Sequence, residues 1–594
     1  LIGGDVVLEN KTGIKAPEGI VELGGLSQAG TIALNNDGSL SYPESIARSN
    51  VSLTDNSTVE VRGNSGGLIN INAKEFLLSE QSKIFAGIAE DQGSIDSPAG
   101  DITINATDSV KLIGLGPSSV GLGTEINNHV GTAPNRRENL ETPSNAVGDG
   151  GAIIINTSLL EISDQARITA NSYAQGNSGN LVLNTDNIII NGGAIAGLIF
   201  EGTGDAGNVT INNTDSIILN EGSNIQSQVL KGGQGNVGDI KIDTKTLSIN
   251  EKFSFILADN ASAGNAGNIT INATDAVLIN GGGGENLGTT LSAILSQVQM
   301  DVVGDAGDIT IATPQLTLTN FGLISTNVRA GSVGNTGDVF LDVDTLTVDN
   351  GSVINALTEN DFDGGNININ ANTASLSNGG KIVVSGDAGG NGGSINLNVA
   401  DTLNISSSNP PELVPFQEEI LLNTASEAGL FSSTVAGTGD GGNIAIQAGS
   451  IELANNASIL ATTSTGTGGD VSLKVDKTVE LQNNSLISAE ARGIGNGGNI
   501  SIDSNFIVAS PEGNNDIIAN ASQGQGGNIT IDAESLFGIE ERPLNDSTND
   551  INASSEFALD GSVNIDTSDI NPVQGATELP SNVVEPEQTT AQTC

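Results

Sequence analysis

Tryptophan is absent, and the 594 residues include one cysteine, one methionine and one histidine. The cysteine is the last residue, Cys594, which excludes an internal disulfide framework and any cysteine-built zinc site. One histidine and one methionine leave almost no axial ligands for haem. Aromatic residues make up 3% and charged residues 15% of the chain, the latter against an ordinary ~25%. Basic residues are few, 20 against 70 acidic, for a net charge of −50. Phosphate backbones would repel such a chain, which argues against nucleic-acid binding. No apolar run approaches the ~18 residues that a membrane-spanning helix needs. What the chain has instead is glycine, 78 residues, together with 37% hydrophobic residues rich in Ile, Val and Leu. That hydrophobic content excludes a disordered chain.

One phrase recurs: Gly, then Asn or Asp, then an apolar–variable–apolar triplet, then Asn or Asp. It reads Gly100-Asp101-Ile102-Thr103-Ile104-Asn105, and again from Gly207 to Asn212, from Gly267 to Asn272, from Gly365 to Asn370 and from Gly527 to Asp532. Anchored on the glycine there are 16 clear copies between Gly67 and Gly561, and two weaker ones at Gly4 and Gly30. The basic interval is about 28–30 residues, with a few lengthened units. Repeats of this period mark solenoids, propellers or arrays.

All 16 copies carry Ile, Val or Leu two residues after the anchor, and Ile or Leu four after it, with a free position between. That period of two is a half-buried β-strand and not a helix. A second apolar pulse follows, as in Ile217-Ile218-Leu219, and a third, as in Ile225-Gln226-Ser227, with Gly/Asn turns between them. Each unit is expected to hold three short strands, too little to bury its own apolar face, so neighbouring units must stack. The fold expected is all-β: a right-handed parallel β-helix (β-solenoid) over residues 1–566, with one coil per repeat and roughly 18 coils. At the ~4.8 Å strand spacing this is a rod of roughly 85 Å. Residues 567–594, with Pro572, Pro580 and Pro586, read as a tail or linker.

The residue after the anchor is Asn or Asp in 12 of 16 copies, and the residue five after it in 13 of 16. Like residues in successive coils lie above one another, so these positions predict hydrogen-bonded side-chain ladders. Asn and Gly also suit left-handed corners. The structural residues expected are therefore Gly100, Asn105, Gly207, Asn212, Gly267, Asn272, Gly365, Asn370 and Gly527. Structural calcium at the acidic turns Asp149, Asp205, Asp305 and Asp440 is the rival reading, but the nine-residue calcium-roll pattern does not repeat here. No cofactor or catalytic metal is expected.

Two insertions interrupt the pattern, at about 115–147 and 406–430. The first contains His129, read as a solvated loop histidine, and Arg136-Arg137. The second contains Pro410-Pro411 and the run Phe416–Leu422, read as a short helix, with Glu418 and Glu419. Long loops on a regular scaffold are where contact sites are usually placed, so His129, Arg136, Arg137, Phe416, Glu418 and Glu419 are the candidate ligand contacts. Catalysis finds little support. A triad would have to use His129, and acid pairs such as Asp361/Asp363 have no basic companion. The Gly-rich turns lack the Gly-Lys-Ser/Thr ending of a phosphate loop. An ice-binding array fails too, because the outward strand position is Thr in only five of the 16 copies.

The phrase from Gly267 to Asp275, followed by an apolar pulse and Gly-Asn-Gly-Gly turns such as Gly495-Asn496-Gly497-Gly498, resembles the filamentous haemagglutinin family. It resembles more closely the large cyanobacterial exoproteins labelled as haemagglutinin or haem-utilisation/adhesion proteins. The resemblance covers about residues 1–566. It implies export through a partner outer-membrane transporter by two-partner secretion, and folding outside the cell as a rod. It carries no catalytic motif, and nothing in these residues supports the haem label. The chain opens mid-pattern at Leu1-Ile2-Gly3-Gly4-Asp5 and reads as an internal or truncated piece, with Cys594 a candidate partner for a cysteine beyond it. The function expected is that of a secreted or surface-attached adhesin-like rod, not an enzyme, that meets glycans, cells or matrix through its loops or a sheet face. The alternatives are a polysaccharide-active β-helix enzyme and a passive stalk for an effector domain.

Overall fold

The computed structural model describes residues 1–567 except 37, 117–122, 133–143, 251–252, 283–290, 387–388, 408–426 and 435–436. Among the described residues there is no helix, and the chain winds as a parallel β-solenoid. Each of the 16 anchor glycines is followed within two residues by a strand of one parallel sheet, the long-strand sheet. Fifteen of those strands, from Leu68–Ser79 to Asn528–Phe537, are ten to twelve residues long. A second parallel stack, the short-strand sheet, runs alongside with strands such as Lys83–Ile88, Glu125–Val130, Arg167–Ser172 and Ala194–Ile199. The third side of each coil is joined by single bridges, for instance Val147 to Gln175 to Thr203 to Gln234 to Ala263.

Alternation decides which residues build the core. In Val209–Asn220 the buried positions are Val209, Ile211 and Asn213, then Ile217 and Leu219. Register is kept between coils, so Ile102, Ile153, Leu181, Val209 and Ile240 form one column, and Ile84, Ile126, Ile168, Ile195 and Ile225 another. All ten are fully buried. These columns belong to one continuous aliphatic core along the rod, and each coil covers the apolar face of the next.

Three details differ from the sequence expectation. The first two apolar pulses share one bent strand, because the ladder carries on through the bend with a one-residue shift in some coils, as between Asn212 and Ser216. The expected insertion at 115–147 is divided by strand Glu125–Val130, whose Ile126 and Val130 pair with Ile84 and Ile88 of the coil before. His129 is therefore a strand residue and not a loop residue. The region 406–430 rejoins the stack in the same way at Gly429–Ser433, with Leu430 between Ile382 and Ile459.

The anchor glycines are required for space. A Cβ at Gly207 would collide with the carbonyl oxygen of Gly179, and one at Gly267 with that of Gly238, because the coils touch backbone to backbone at this corner. The left-handed corners lie elsewhere. Asn320, Asn350, Asn378, Asn455 and Asn483, all near φ +50°, end the long strands, where a short polar side chain tolerates that conformation.

Candidate functional site: a polar groove on the long-strand sheet

The Asn positions five residues after the anchor stack as a continuous amide ladder. Asn105 donates to Asn72 (3.2 Å), Asn156 to Asn105 (2.7 Å), Asn184 to Asn156 (2.7 Å) and Asn212 to Asn184 (2.8 Å). In the next coil the position is Asp243, which has no N–H to give, so the run ends at Asn212. A new run begins with Asn272 donating to Asp243 (2.7 Å). The Asp243 carboxyl is held below its ordinary range by hydrogen bonds from Asn272 and Lys241, which outweigh a smaller effect of burial.

Beside this ladder lies an open groove of about 590 Å³. One wall is the file Asn72, Asn105, Asn156, Asn184 and Asn212. The facing wall is Thr107, Ser158, Asp186 and Thr214 at the strand bend, and Arg48 also lines the groove. Ala106, Thr157 and Thr185 line it as well, and their side chains alternate toward the core. The wall is internally braced: Thr214 donates to Asp186 (2.7 Å), and Ser158 to the Thr107 carbonyl (3.2 Å). Arg48 is steadied over the Tyr42 ring at 4.7 Å.

The residue directly after the anchor does a different job. Its side-chain oxygen accepts the backbone N–H of the equivalent residue one coil on: Asn208 from Asp239, Asp239 from Asn268, Asn268 from Asp308 and Asp308 from Asp338, all at 2.8–2.9 Å. Only an acceptor is needed, which is why Asn and Asp interchange there. The acidic turns weighed for calcium are used in the same manner. Asp149 accepts from Asn177, Asp205 from Asn236, Asp305 from Asn335 and Asp440 from Thr467. Asp361 and Asp363 accept from Gly389 and Asn391. Among the described residues no three His, Cys, Asp or Glu side chains gather as a metal site.

No protein-family model, no curated protein and no solved structure matches the chain.

His129 lies on the outer face of the short-strand sheet, yet it is only 6% exposed. It stands in an aromatic file, 6.0 Å from Phe85 and 5.7 Å from Tyr173, which stacks on Phe200 at 4.6 Å. Burial, and then the nearby Arg62 and Lys83 cations, push its pKa down to about 3. Arg62 Nη1 lies 3.4 Å from Nε2. Since Arg can only donate, the ring proton sits on Nδ1, which has no hydrogen-bond partner. A neutral, buried imidazole with neither a hydroxyl nor a carboxylate on its nitrogens is not arranged as a triad base.

Arg136, Arg137, Phe416, Glu418 and Glu419 lie outside the described residues. The flanks of the segment that carries the two arginines are tied together by Glu90. Its Oε2 accepts from Thr132 N (3.1 Å), Thr132 Oγ1 (2.6 Å) and Ser144 Oγ (2.7 Å), and its Oε1 from Asn145 N (3.3 Å). Burial pushes this carboxyl up, but the hydrogen bonds outweigh it and hold the pKa below its ordinary value. The structure thus separates His129, which is shielded, from the accessible polar groove. The groove's bend wall and Arg48 were not among the sequence candidates. The signal that could have found it is the unbroken Asn at the fifth position in the first five clear copies.

Proposed function

We infer that this chain is an adhesin-like rod, secreted or held at an outer cell surface, that meets extracellular glycan through a sheet face. The observation that carries this reading is the groove on the long-strand sheet, an open concavity lined by carboxamides and hydroxyls along several coils of a stiff scaffold. Such groups hydrogen-bond sugar hydroxyls as both donors and acceptors. The composition supports export: a single cysteine avoids disulfide chemistry on the way, and a net charge of −50 keeps a long rod soluble. Resemblance to the haemagglutinin-type exoproteins supports the same reading and brings with it a partner outer-membrane transporter.

The test is to incubate the protein with a panel of extracellular polysaccharides and follow each polymer by size-exclusion chromatography with light scattering. Co-elution at larger size, with polymer length unchanged, is expected for at least one glycan. A shortened polymer would replace the adhesin with an enzyme, and no change with any polymer would remove the glycan reading.

A further inference from the structure

Each of the three internal amides of the Asn72–Asn212 ladder uses one N–H and one oxygen lone pair along the stack, while Asn72 only accepts and Asn212 only donates. An Asn side chain has two of each, so every coil keeps one donor and one acceptor for a ligand in the groove. The ladder also fixes the order: in each bond the later coil donates to the earlier one. Five amides are therefore held in a common orientation before any ligand arrives, which lowers the ordering cost of binding. They repeat at the coil spacing of ~4.8 Å, close to the advance per residue of an extended pyranose chain. The facing wall repeats in four of these coils and offers acceptors, the Asp186 carboxylate and the oxygens of Thr107, Ser158 and Thr214, whose protons are donated to Asp108, the Thr107 carbonyl and Asp186. Among the described residues Arg48 is the one cation of the lining, and the chain as a whole carries −50, so a polyanion is disfavoured. The groove contains no aromatic platform, so recognition rests on hydrogen bonds in register.

We propose that the groove binds an unbranched, neutral polysaccharide in extended form, parallel to the rod axis, with one sugar residue per coil over five coils. This rests on the glycan reading above and adds the class, direction and register of the ligand.

The experiment is calorimetric titration of the whole chain with oligosaccharides of two to eight residues. Three series are extended β-1,4-linked chains of glucose, mannose and xylose, and one is the coiled α-1,4-linked glucose series. Affinity in at least one extended series is expected to rise with each added residue up to about five, the number of ladder amides, and then level off. The α-linked series is expected to show no such rise, and heparin no competition. Ser158→Trp and Thr214→Trp fill the groove from positions outside the ladder and should weaken the longest ligand at least tenfold. Ser501→Trp, also outward on the long-strand sheet but beyond the groove, should leave binding unchanged. Thermal melts of all three variants report whether folding is intact.

Binding that ignores chain length, that favours the α-linked series, or that survives both groove substitutions would overturn the proposal. In each of those cases glycan recognition by the rod would still stand. An absence of binding both here and to the polymer panel would overturn the glycan reading as well.

Discussion

A single buried carboxylate shows how tightly this scaffold controls its polar residues. Asp259 sits on the outer face of the short-strand sheet, buried, and accepts from Gln299 (3.0 Å) and Gln228 (3.3 Å). Burial raises its pKa from 3.8 to about 6, and hydrogen bonds from Gln299 and Gln297 and the Arg329 charge only partly oppose the rise. Because the folded pKa lies above the unfolded one, the native state holds this proton more tightly. Stability is then greatest below the unfolded value and is lost as pH rises through the window from about 4 to about 6. At neutral pH the strain of holding the charge is on the order of 3 kcal/mol at most, at 1.36 kcal/mol per unit. Asp259→Asn is therefore expected to stabilise strand Phe255–Asn260 at pH 7 by about 1–3 kcal/mol and to do nothing at pH 4. Amide hydrogen exchange in that strand reads the effect locally, which suits a solenoid whose coils need not unfold together. An equal effect at both pH values would mean that packing, and not charge, decides it.

The element that distinguishes this solenoid is the directional amide ladder, and its direction can be tested. Asn184 donates to Asn156 and accepts from Asn212. Asn184→Asp keeps the second bond and turns the first into two facing oxygens. The cost at neutral pH should be about 0.5–1.5 kcal/mol, that of a lost hydrogen bond at a half-exposed site, and it should shrink when the new carboxyl is protonated. Asn184→Ala loses both bonds but brings no repulsion. If the cost of Asn184→Asp in hydrogen exchange across Ile153–Ser163 and Leu181–Asn191 is the same with the new carboxyl ionised and protonated, no oxygen faces it, the ladder has no fixed direction, and the preorganised groove loses its basis. Asp243, where the natural run stops, is the chain's own version of this substitution.

The ladder column and the alternating strand positions were legible in the sequence because each repeats in frame with the anchor glycine. The groove as a whole was not. Its second wall lies at the bend, seven residues after the anchor (Thr107, Ser158, Asp186, Thr214), a column that keeps the frame but no one residue type and reads Lys74 and Lys245 in the flanking coils, so no repeated residue marks it. Arg48 comes from outside the clear repeats altogether. Strand Glu125–Val130 was hidden for a different reason: Glu-Ile-Asn-Asn-His-Val has two apolar residues and no anchor glycine. Its membership in the sheet follows only from the coils on either side.

At the scale of the whole molecule, charge and shape act together. Among the described residues the ion pairs are few and mostly join different coils, such as Lys83–Glu125 and Lys111–Glu161, against 70 acidic side chains in the chain. Acids that share a column, such as Asp503, Asp532 and Asp566, stand ~4.8 Å apart, well within the ~8 Å screening length of physiological salt. Repulsion is therefore felt along the rod and between rods. Among the described residues the strands of the two long stacks are paired on both sides except near the ends, so edge-to-edge joining is confined to the ends of the stack and to the small sheet of Ala33–Leu34 and Leu40–Ser41 beside the first coils. What faces a neighbouring rod is largely neutral Asn, Ser and Thr, and charge is what keeps such surfaces apart. The sequence pI is about 4.1. Light scattering should find single rods at pH 7 in low salt, and side-by-side association both as salt shortens the screening length to ~3 Å and as pH falls toward 4 and the net charge vanishes. A rod that stays single at pH 4 would show that hydration of its amides and hydroxyls, and not repulsion, prevents bundling.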